Sequence, residues 1–329
     1  MVDFSVVICT FNGAYKLPSL LERLKLQQQT AEFCWELLVI DNNSTDDTAA
    51  VVRRYQQDWV ADVPFHYHFE PRQGLAYARR CAIRHATSPL IGFLDDDNLP
   101  QSTWVYAAWQ FGQQHPQAGA YGSEVKPIYD APPPPGFRRI APLLALVERG
   151  DRPFIYTHRR GVLPVGAGMV IRRAAWLAHV PEQPWLPGVT AQSLKTKGED
   201  VETLSYIRDG GWEVWHNPAM KIQHHIPPER LQRAYLLELC RSVGFNRFPL
   251  RMVRYFPWQR PLILPLYFLS DLRKVLTYLL GHYRSLPQDL VCACEFALLS
   301  STLISPFYHW RNQLSKGKQG SPAPLNSRK

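Results

Sequence analysis

The stretch Leu90-Ile91-Gly92-Phe93-Leu94-Asp95-Asp96-Asp97-Asn98 is an apolar run that ends abruptly in three carboxylates. A short run without alternation reads as a strand buried on both faces, as in parallel sheets. Such a strand delivers its last residues to the edge where open α/β sheets bind ligands. Acids this close repel one another unless a cation sits among them. Mg²⁺ or Mn²⁺ held by one or two carboxylates keeps coordination positions for water and phosphates, so the run points to a nucleoside diphosphate. The alternative is an acidic turn that caps a helix beginning at Pro100.

The pattern recurs upstream. Phe4 to Thr10 is an apolar run closed by Phe11, Asn12 and Gly13, and a helix with Leu17, Leu20, Leu21 and Leu24 on one face follows it. Trp35 to Ile40 is another, ending at Asp41-Asn42-Asn43-Ser44-Thr45-Asp46-Asp47-Thr48. Ser44 with Asp47 three residues on has the spacing of a capping box, which makes Asp46 and Asp47 first-turn acids on the helix dipole. Asp41 precedes that cap and lies level with Thr10, Asn12 and Asp95. Strands alternating with helical stretches imply parallel βαβ units, whose right-handed crossovers bring all three strand ends to one edge.

The ordered series Thr10-Phe11-Asn12, Asp41 to Asp46 and Asp95-Asp96-Asp97 resembles the nucleotide-binding half of family 2 inverting glycosyltransferases, and the resemblance covers about residues 4–225. It implies a GT-A fold, an α/β, Rossmann-like, mixed and mostly parallel sheet flanked by helices. It also implies that Thr10, Asn12 and Asp41 hold the nucleoside, with Asp41 accepting a base N–H, and that Asp96 lies beside the donor. Asp95 and Asp97 would place a divalent Mn²⁺ or Mg²⁺ on the diphosphate. The family carries a Gly with an Arg five residues later, matched by Gly74 and Arg79. Gly permits close backbone approach and guanidinium offers a fork of donors. An ordinary helix start with solvated Arg79, Arg80 and Arg84 is the alternative.

Gly166-Ala167-Gly168 matches a small-residue segment that the family places beside donor sugar and acceptor, although the same residues suit a bulge in a structural strand. Gly198-Glu199-Asp200-Val201-Glu202 opens a helical stretch ending at Gly210-Gly211, where the family carries a Glu-Asp pair. By that resemblance Asp200 is the general base, Glu199 supports it, and Glu202 reads as a helix-face charge; the alternative is three acids at a helix N-terminus. Trp212 to His216 and Met220 to Pro228 read as two short strands. Related enzymes often have a His before such a Pro-containing turn, near the metal or diphosphate. His224 fits this place, with a structural histidine as the alternative, while His216 and His225 read as structural.

Composition divides the chain. Residues 226–329 hold 15 Lys and Arg against 5 Asp and Glu, a net of +10 within a total of +9, so residues 1–225 carry −1. Two apolar stretches share the basic part, Leu262 to Leu280 broken by charges, and Leu290 to Trp310, about the length of a marginal membrane span. Basic residues mixed with Trp258, Tyr267, Tyr278, Tyr283, Tyr308 and Trp310 suit an anionic membrane interface; helices packed on the catalytic domain are the alternative. The expected organisation is a catalytic domain at 1–225, with a nucleotide half to about 125 and an acceptor half at 126–225. A membrane-associating helical extension at 226–314 and a disordered tail at 315–329 follow. Asp130 to Phe137, with four consecutive prolines, reads as a stiff extended loop.

Six scattered Cys at 9, 34, 81, 240, 292 and 294 lack zinc spacing, and Val2-Asp3-Phe4 runs straight into the first strand. The expected setting is therefore cytoplasmic, at the cytoplasmic face of the plasma membrane. A nucleotidyltransferase would open with a Gly-rich loop and a basic residue after the first strand, which Thr10-Phe11-Asn12-Gly13 lacks. A basic nucleic-acid-binding protein would draw on the pI of 9.3, but an acid-lined cleft repels phosphate backbones, so nucleic acid is not an expected partner. The run His224-His225-Ile226-Pro227-Pro228-Glu229-Arg230-Leu231 is similar to cyanobacterial enzymes of hormogonium polysaccharide synthesis. That likeness implies a nucleotide-sugar donor and a polysaccharide or lipid-linked glycan acceptor.

Overall fold

The computed structural model describes residues 1–157, 162–190 and 197–317. The first half alternates strand and helix: β1 Phe4–Thr10, α1 Leu17–Lys25, β2 Trp35–Asp41, α2 Thr48–Gln57, β3 Phe65–Phe69, α3 Leu75–His85, β4 Leu90–Asp95, β5 Asn98–Pro100 and α4 Trp104–Gln114. Then come β6 Ala118–Tyr129, β7 Phe154–Ile155, β8 Met169–Arg172, α5 Arg173–His179, α6 Glu199–Asp209 and β9 Glu213–Ile226. Helices α7 Arg233–Phe245, α8 Arg247–Met252, α9 Arg260–His282 and α10 Leu290–Gly317 follow. The tail beyond Gly317 lies outside the described residues.

Eight strands run side by side in the order β3-β2-β1-β4-β8-β6-β9-β5, with β7 paired to β9. The β3-β2-β1-β4 half is parallel throughout, and β8 begins the mixed half by pairing antiparallel to β4 and β6. Strands β1 and β2 are wholly buried because side chains alternate between two covered faces. Phe4, Val6 and Ile8 belong to one cluster with the α1 leucines and Trp104, while Val7 and Cys9 belong to another with Ala78, Ala82, Trp176 and Ile207. Helices therefore cover both faces in three layers. Leu17, Leu20, Leu21 and Leu24 are fully buried, so truncating any one to Ala costs about 2–5 kcal/mol.

Two local readings change. Residues 213–226 form one continuous strand, not two; Asn217 and Pro218 are accommodated by a register shift against β6 between Gly122 and Glu124. No acid lies in the first turn of α2, and Ser44 does not cap it; Asp46 precedes the helix and accepts from the Thr48 N–H at 3.1 Å and the Thr48 hydroxyl at 2.5 Å. The proline run is followed at once by 3₁₀ turns at Phe137–Arg139 and Ala141–Leu144.

The chain forms two compact units. One holds the sheet and its helices up to Pro228; the other comprises Pro133–Leu143 and the chain from Glu229 onward. Within the second, Gly244 of α7 lies so close to α10 that a Cβ would stand 2.6 Å from Ser301 Cβ.

Candidate active site

Parallel register brings the strand ends to one edge. Thr10 is level with Asp41, and Cys9 with Asp95. The loop after β1 is held by side chains from the loop after β2: Asn12, in the left-handed region at φ 50°, donates its N–H to Ser44 Oγ at 2.9 Å and accepts from the Thr45 N–H at 2.8 Å. The Gly13 N–H donates to Thr48 Oγ1 at 2.9 Å, and Ala14 donates to Asp46 at 3.1 Å. A Cβ at Gly13 would overlap Thr10 Oγ1. Asp41 is buried, accepting from the Ser44 N–H at 2.8 Å and the Tyr67 hydroxyl at 2.7 Å. Burial, and then this bond and the Asp41 charge, push Tyr67 up to about 12.

The three acids after β4 diverge. Asp96 turns toward β1, accepting from Thr10 Oγ1 at 2.9 Å and pairing with Lys16 at 3.0 Å. Burial raises its carboxyl to about 6 against the pull of Lys16. Asp97 turns toward β9, where the β5–β9 pairing sets Asn98 opposite His224 and leaves His224 Nε2 3.5 Å from Asp97 Oδ2. His225 instead pairs with Asp130 at 2.8 Å. Burial, and then Asp97, push the Asp95 carboxyl above its ordinary range, with Arg79 and His224 opposing. Among the described residues, no three His, Cys, Asp or Glu side chains are already arranged around one point as a metal site. The donor chemistry of Asp95, Asp97 and His224 nevertheless fits a divalent ion that takes few protein ligands and fills its other positions from phosphate and water.

Arg79 is only 2% exposed, which removes the solvated alternative. It reaches from α3 to Glu199 at the start of α6, with Nη1 3.2 Å from Oε1. Burial would lower its pKa, but Glu199, Asp95 and Asp200 together hold it above the ordinary value. Burial first, and then Asp200, push Glu199 up to about 7 while Arg79 pulls it down. Asp200 Oδ2 accepts from the Gly166 N–H at 2.8 Å. A Cβ at Gly166 would overlap the Arg79 guanidinium, and one at Gly168, at φ +67°, would overlap Ile222 and Ser123. Gly74, at φ +133°, stands where a Cβ would lie 2.5 Å from the Pro187 carbonyl oxygen. The close approaches that demand glycine at these three positions are thus made by the protein itself.

The structure therefore gathers Asp95, Arg79, Glu199, Asp200 and Gly166 into one charged cluster, with Asp97 and His224 at its side. Thr10, Asp96 and Asn12 line the neighbouring strand end. Four residues that sequence reasoning missed or misread take part. Lys16 neutralises Asp96, so a basic residue does follow the first strand. Tyr67 binds Asp41, and its signal was the period-2 run Phe65 to Phe69. Asn42 holds the loop before α3 by donating to the Glu70 and Arg72 carbonyls and accepting from the Gly74 N–H at 2.7 Å. Glu202 is no surface charge: it is 3% exposed and accepts from the Trp185 and Leu186 N–H groups, each at 2.9 Å.

Residues 5–170, half of the chain, match the family model described as glycosyl transferase family 2. A stretch of 103 residues is 40% identical to validoxylamine A glucosyltransferase of Streptomyces hygroscopicus subsp. jinggangensis, taking in 31% of this chain and 23% of that protein. Another of 96 residues is 33% identical to an uncharacterized glycosyltransferase, YfnE, of Bacillus subtilis, over 29% of this chain and 23% of that one. The chain thus matches about a quarter of the length of either curated relative. Among solved structures it is similar to the mannosyltransferase PcManGT of Pyrobaculum calidifontis, solved with GDP-Man and Mn²⁺, at TM-score 0.56 and 16% identity over 94% of this chain and 87% of that one. That likeness is one of fold.

Proposed function

Since this chain belongs to glycosyl transferase family 2, we propose that it transfers a sugar, with inversion, from a nucleoside-diphosphate sugar to a hydroxyl of a polysaccharide or lipid-linked glycan. The acceptor oxygen forms a bond to the anomeric carbon as the bond to the diphosphate oxygen breaks. The electron pair leaves with the diphosphate and the hydroxyl proton goes to Asp200. Single in-line displacement needs positioning, charge neutralisation and one base, and no protein nucleophile.

The observation that carries this reading is the setting of Asp200. Its Oδ2 is oriented by the Gly166 N–H, and the neighbouring Glu199 is paired with Arg79. Arg79 also faces Asp95, so the base and the diphosphate end share one buried counter-charge. In the proposal Glu199 and Arg79 position the base, and Gly166 and Gly168 shape the backbone beside the sugar. Thr10, Asn12, Asp41 and Gly74 build the nucleoside end, and Asp96 with Lys16 borders it. A divalent ion on Asp95, Asp97 and His224 would neutralise the charge developing on the departing diphosphate; the GDP-Man and Mn²⁺ complex of the mannosyltransferase PcManGT is a precedent on this fold. Residues 1–225 form the catalytic part, and residues 226–314 attach it at the cytoplasmic face of the plasma membrane, a reading supported by the basic surplus of that segment.

A panel of UDP-, GDP- and dTDP-sugars, with Mn²⁺ or with chelator, tests this. One nucleotide class should raise the melting temperature and release its nucleoside diphosphate only with metal. A chain that neither shifts nor turns over with any of them is not this enzyme.

A further inference from the structure

By length and composition, one helical stretch among the described residues qualifies as a membrane span, Leu290–Arg311 of α10, 22 residues with mean hydropathy 1.7. Its packing within the second unit argues for a different role. Ser301, Thr302 and Ser305 are buried, Gly244 of α7 brings the two backbones together, and Glu295 pairs with Arg139 and accepts from the Tyr278 hydroxyl at 2.7 Å. Helix α10 is thus packed along one side, against α7, while Ile304, Phe307 and Trp310 stay exposed.

Helix α9 lies beside it and has two unlike faces. On the packed face Phe268 meets Phe307 edge-on at 6.0 Å, Asp271 is paired with Arg251, and Val275 is buried. On the other face Leu262, Leu266, Leu269, Leu276, Leu280 and Tyr283 are between 51 and 81% exposed. They succeed one another by three, four or seven residues and form one stripe about 30 Å long at 1.5 Å per residue. Arg273 occupies the one gap in that stripe and is exposed, as are Arg254, Lys274 and Arg284. The sole acid of α9, Asp271, is buried. Trp258, 69% exposed, stands before one end of the stripe and Tyr283 closes the other.

An apolar stripe of this length marks an interaction surface. A two-fold contact between copies would set these cations against their own images. Cations exposed along a helix whose sole acid, Asp271, is buried 3.7 Å from Lys274, and aromatic rings at both ends, instead match an anionic lipid interface. We infer that α9 lies flat on an anionic bilayer, its leucine stripe sunk at the headgroup–acyl boundary and Arg273, Lys274 and Arg284 on lipid phosphates. This rests on the reading of residues 226–314 as lipid-facing, and not on the sugar chemistry.

Vesicles of phosphatidylglycerol with phosphatidylcholine, and of phosphatidylcholine alone, test it by co-sedimentation of the full chain. The full chain should pellet with the anionic vesicles at low salt. Leu266→Glu with Leu269→Glu, both at exposed positions, should keep the circular-dichroism melt and lower the bound fraction at least about tenfold. Arg273→Glu with Lys274→Glu should lower binding to anionic vesicles by about tenfold or more and leave binding to neutral ones unchanged. Asp200→Asn should bind as the wild type does, so a failed transferase reading is told apart from a failed lipid one. If both double variants pellet like the wild type, the inference is wrong. It is also wrong if the leucine variant keeps its lipid binding but changes from dimer to monomer in light scattering, which would make the stripe a contact between copies.

Discussion

The Arg79 guanidinium donates to the Glu199 carboxylate at 3.2 Å across 120 residues of sequence, with both side chains buried. The contact ties α3 to the first turn of α6 and fixes where Asp200 stands relative to Asp95. Removing one member of such a pair leaves a bare charge in a dry interior, typically at a cost of about 3–5 kcal/mol. The pair thus makes the geometry of the candidate base depend on the nucleotide-side helix.

The first prediction is a pH dependence of stability. Glu199 releases its proton at about 7 in the folded chain against an ordinary 4.5. Between those values the folded state holds a proton that the unfolded state has lost, so stability falls as pH rises through the window and levels off above it. Asp96, raised to about 6, acts in the same direction. Glu199→Gln should flatten the slope attributable to Glu199 while Asp96 keeps its own. Urea unfolding of both chains from pH 4.5 to 7.5 checks this; parallel curves would assign the titration elsewhere.

Asp200→Asn retains the shape of the side chain and its bond to the Gly166 N–H but cannot take a proton. Turnover should drop by about 10²–10⁴ with donor affinity kept. Calorimetric titration of the donor beside initial rates separates the two effects. Equal loss of both would put Asp200 in the donor site.

Asp97→Asn, alone or with Asp95→Asn, removes the carboxylates offered to a divalent ion. Transfer should fall to background and lose its response to Mn²⁺, while stability in metal-free buffer changes by less than about 1 kcal/mol because mutual repulsion is relieved at the same time. A double variant that still transfers at the wild-type rate in chelator would end the metal assignment.

Glu202→Ala deletes the acceptor for two backbone N–H groups, the half-buried one of Trp185 and the buried one of Leu186. Hydrogen bonds to a charged acceptor contribute about 1.5–3 kcal/mol each, so the loss should be about 3 kcal/mol or more, and Glu202→Gln should lose less. Denaturant midpoints of the two variants give the comparison. Equal midpoints with wild type would return Glu202 to the surface role that its helical position suggests.

By itself the sequence determined the parallel half of the sheet, the three polar strand ends and the start of α6. Each is written in a contiguous run: Phe4 to Thr10, Trp35 to Ile40 and Leu90 to Leu94 are mostly apolar, broken only by Ser5 and Glu36 and closed in the first by Thr10, and Gly198 precedes the Glu-Asp pair directly. The family resemblance rested on those same runs. Tertiary structure decided the rest, because it depends on groups far apart in the chain. Arg79 read as a fork of donors to the ligand, or else as one of three solvated arginines, until α6 supplied Glu199. Gly166 looked like room for a ligand until the guanidinium filled the space beside it. Asp46 looked like a first-turn acid, yet the loop after β1 gave it the Ala14 N–H to hold. Helix α10 had the length and apolarity of a span, and α7 buried its serines. Periodicity records which residues leave water but not the partner that takes them out, and that partner, a charge or a backbone amide from another element, sets the chemistry of the site.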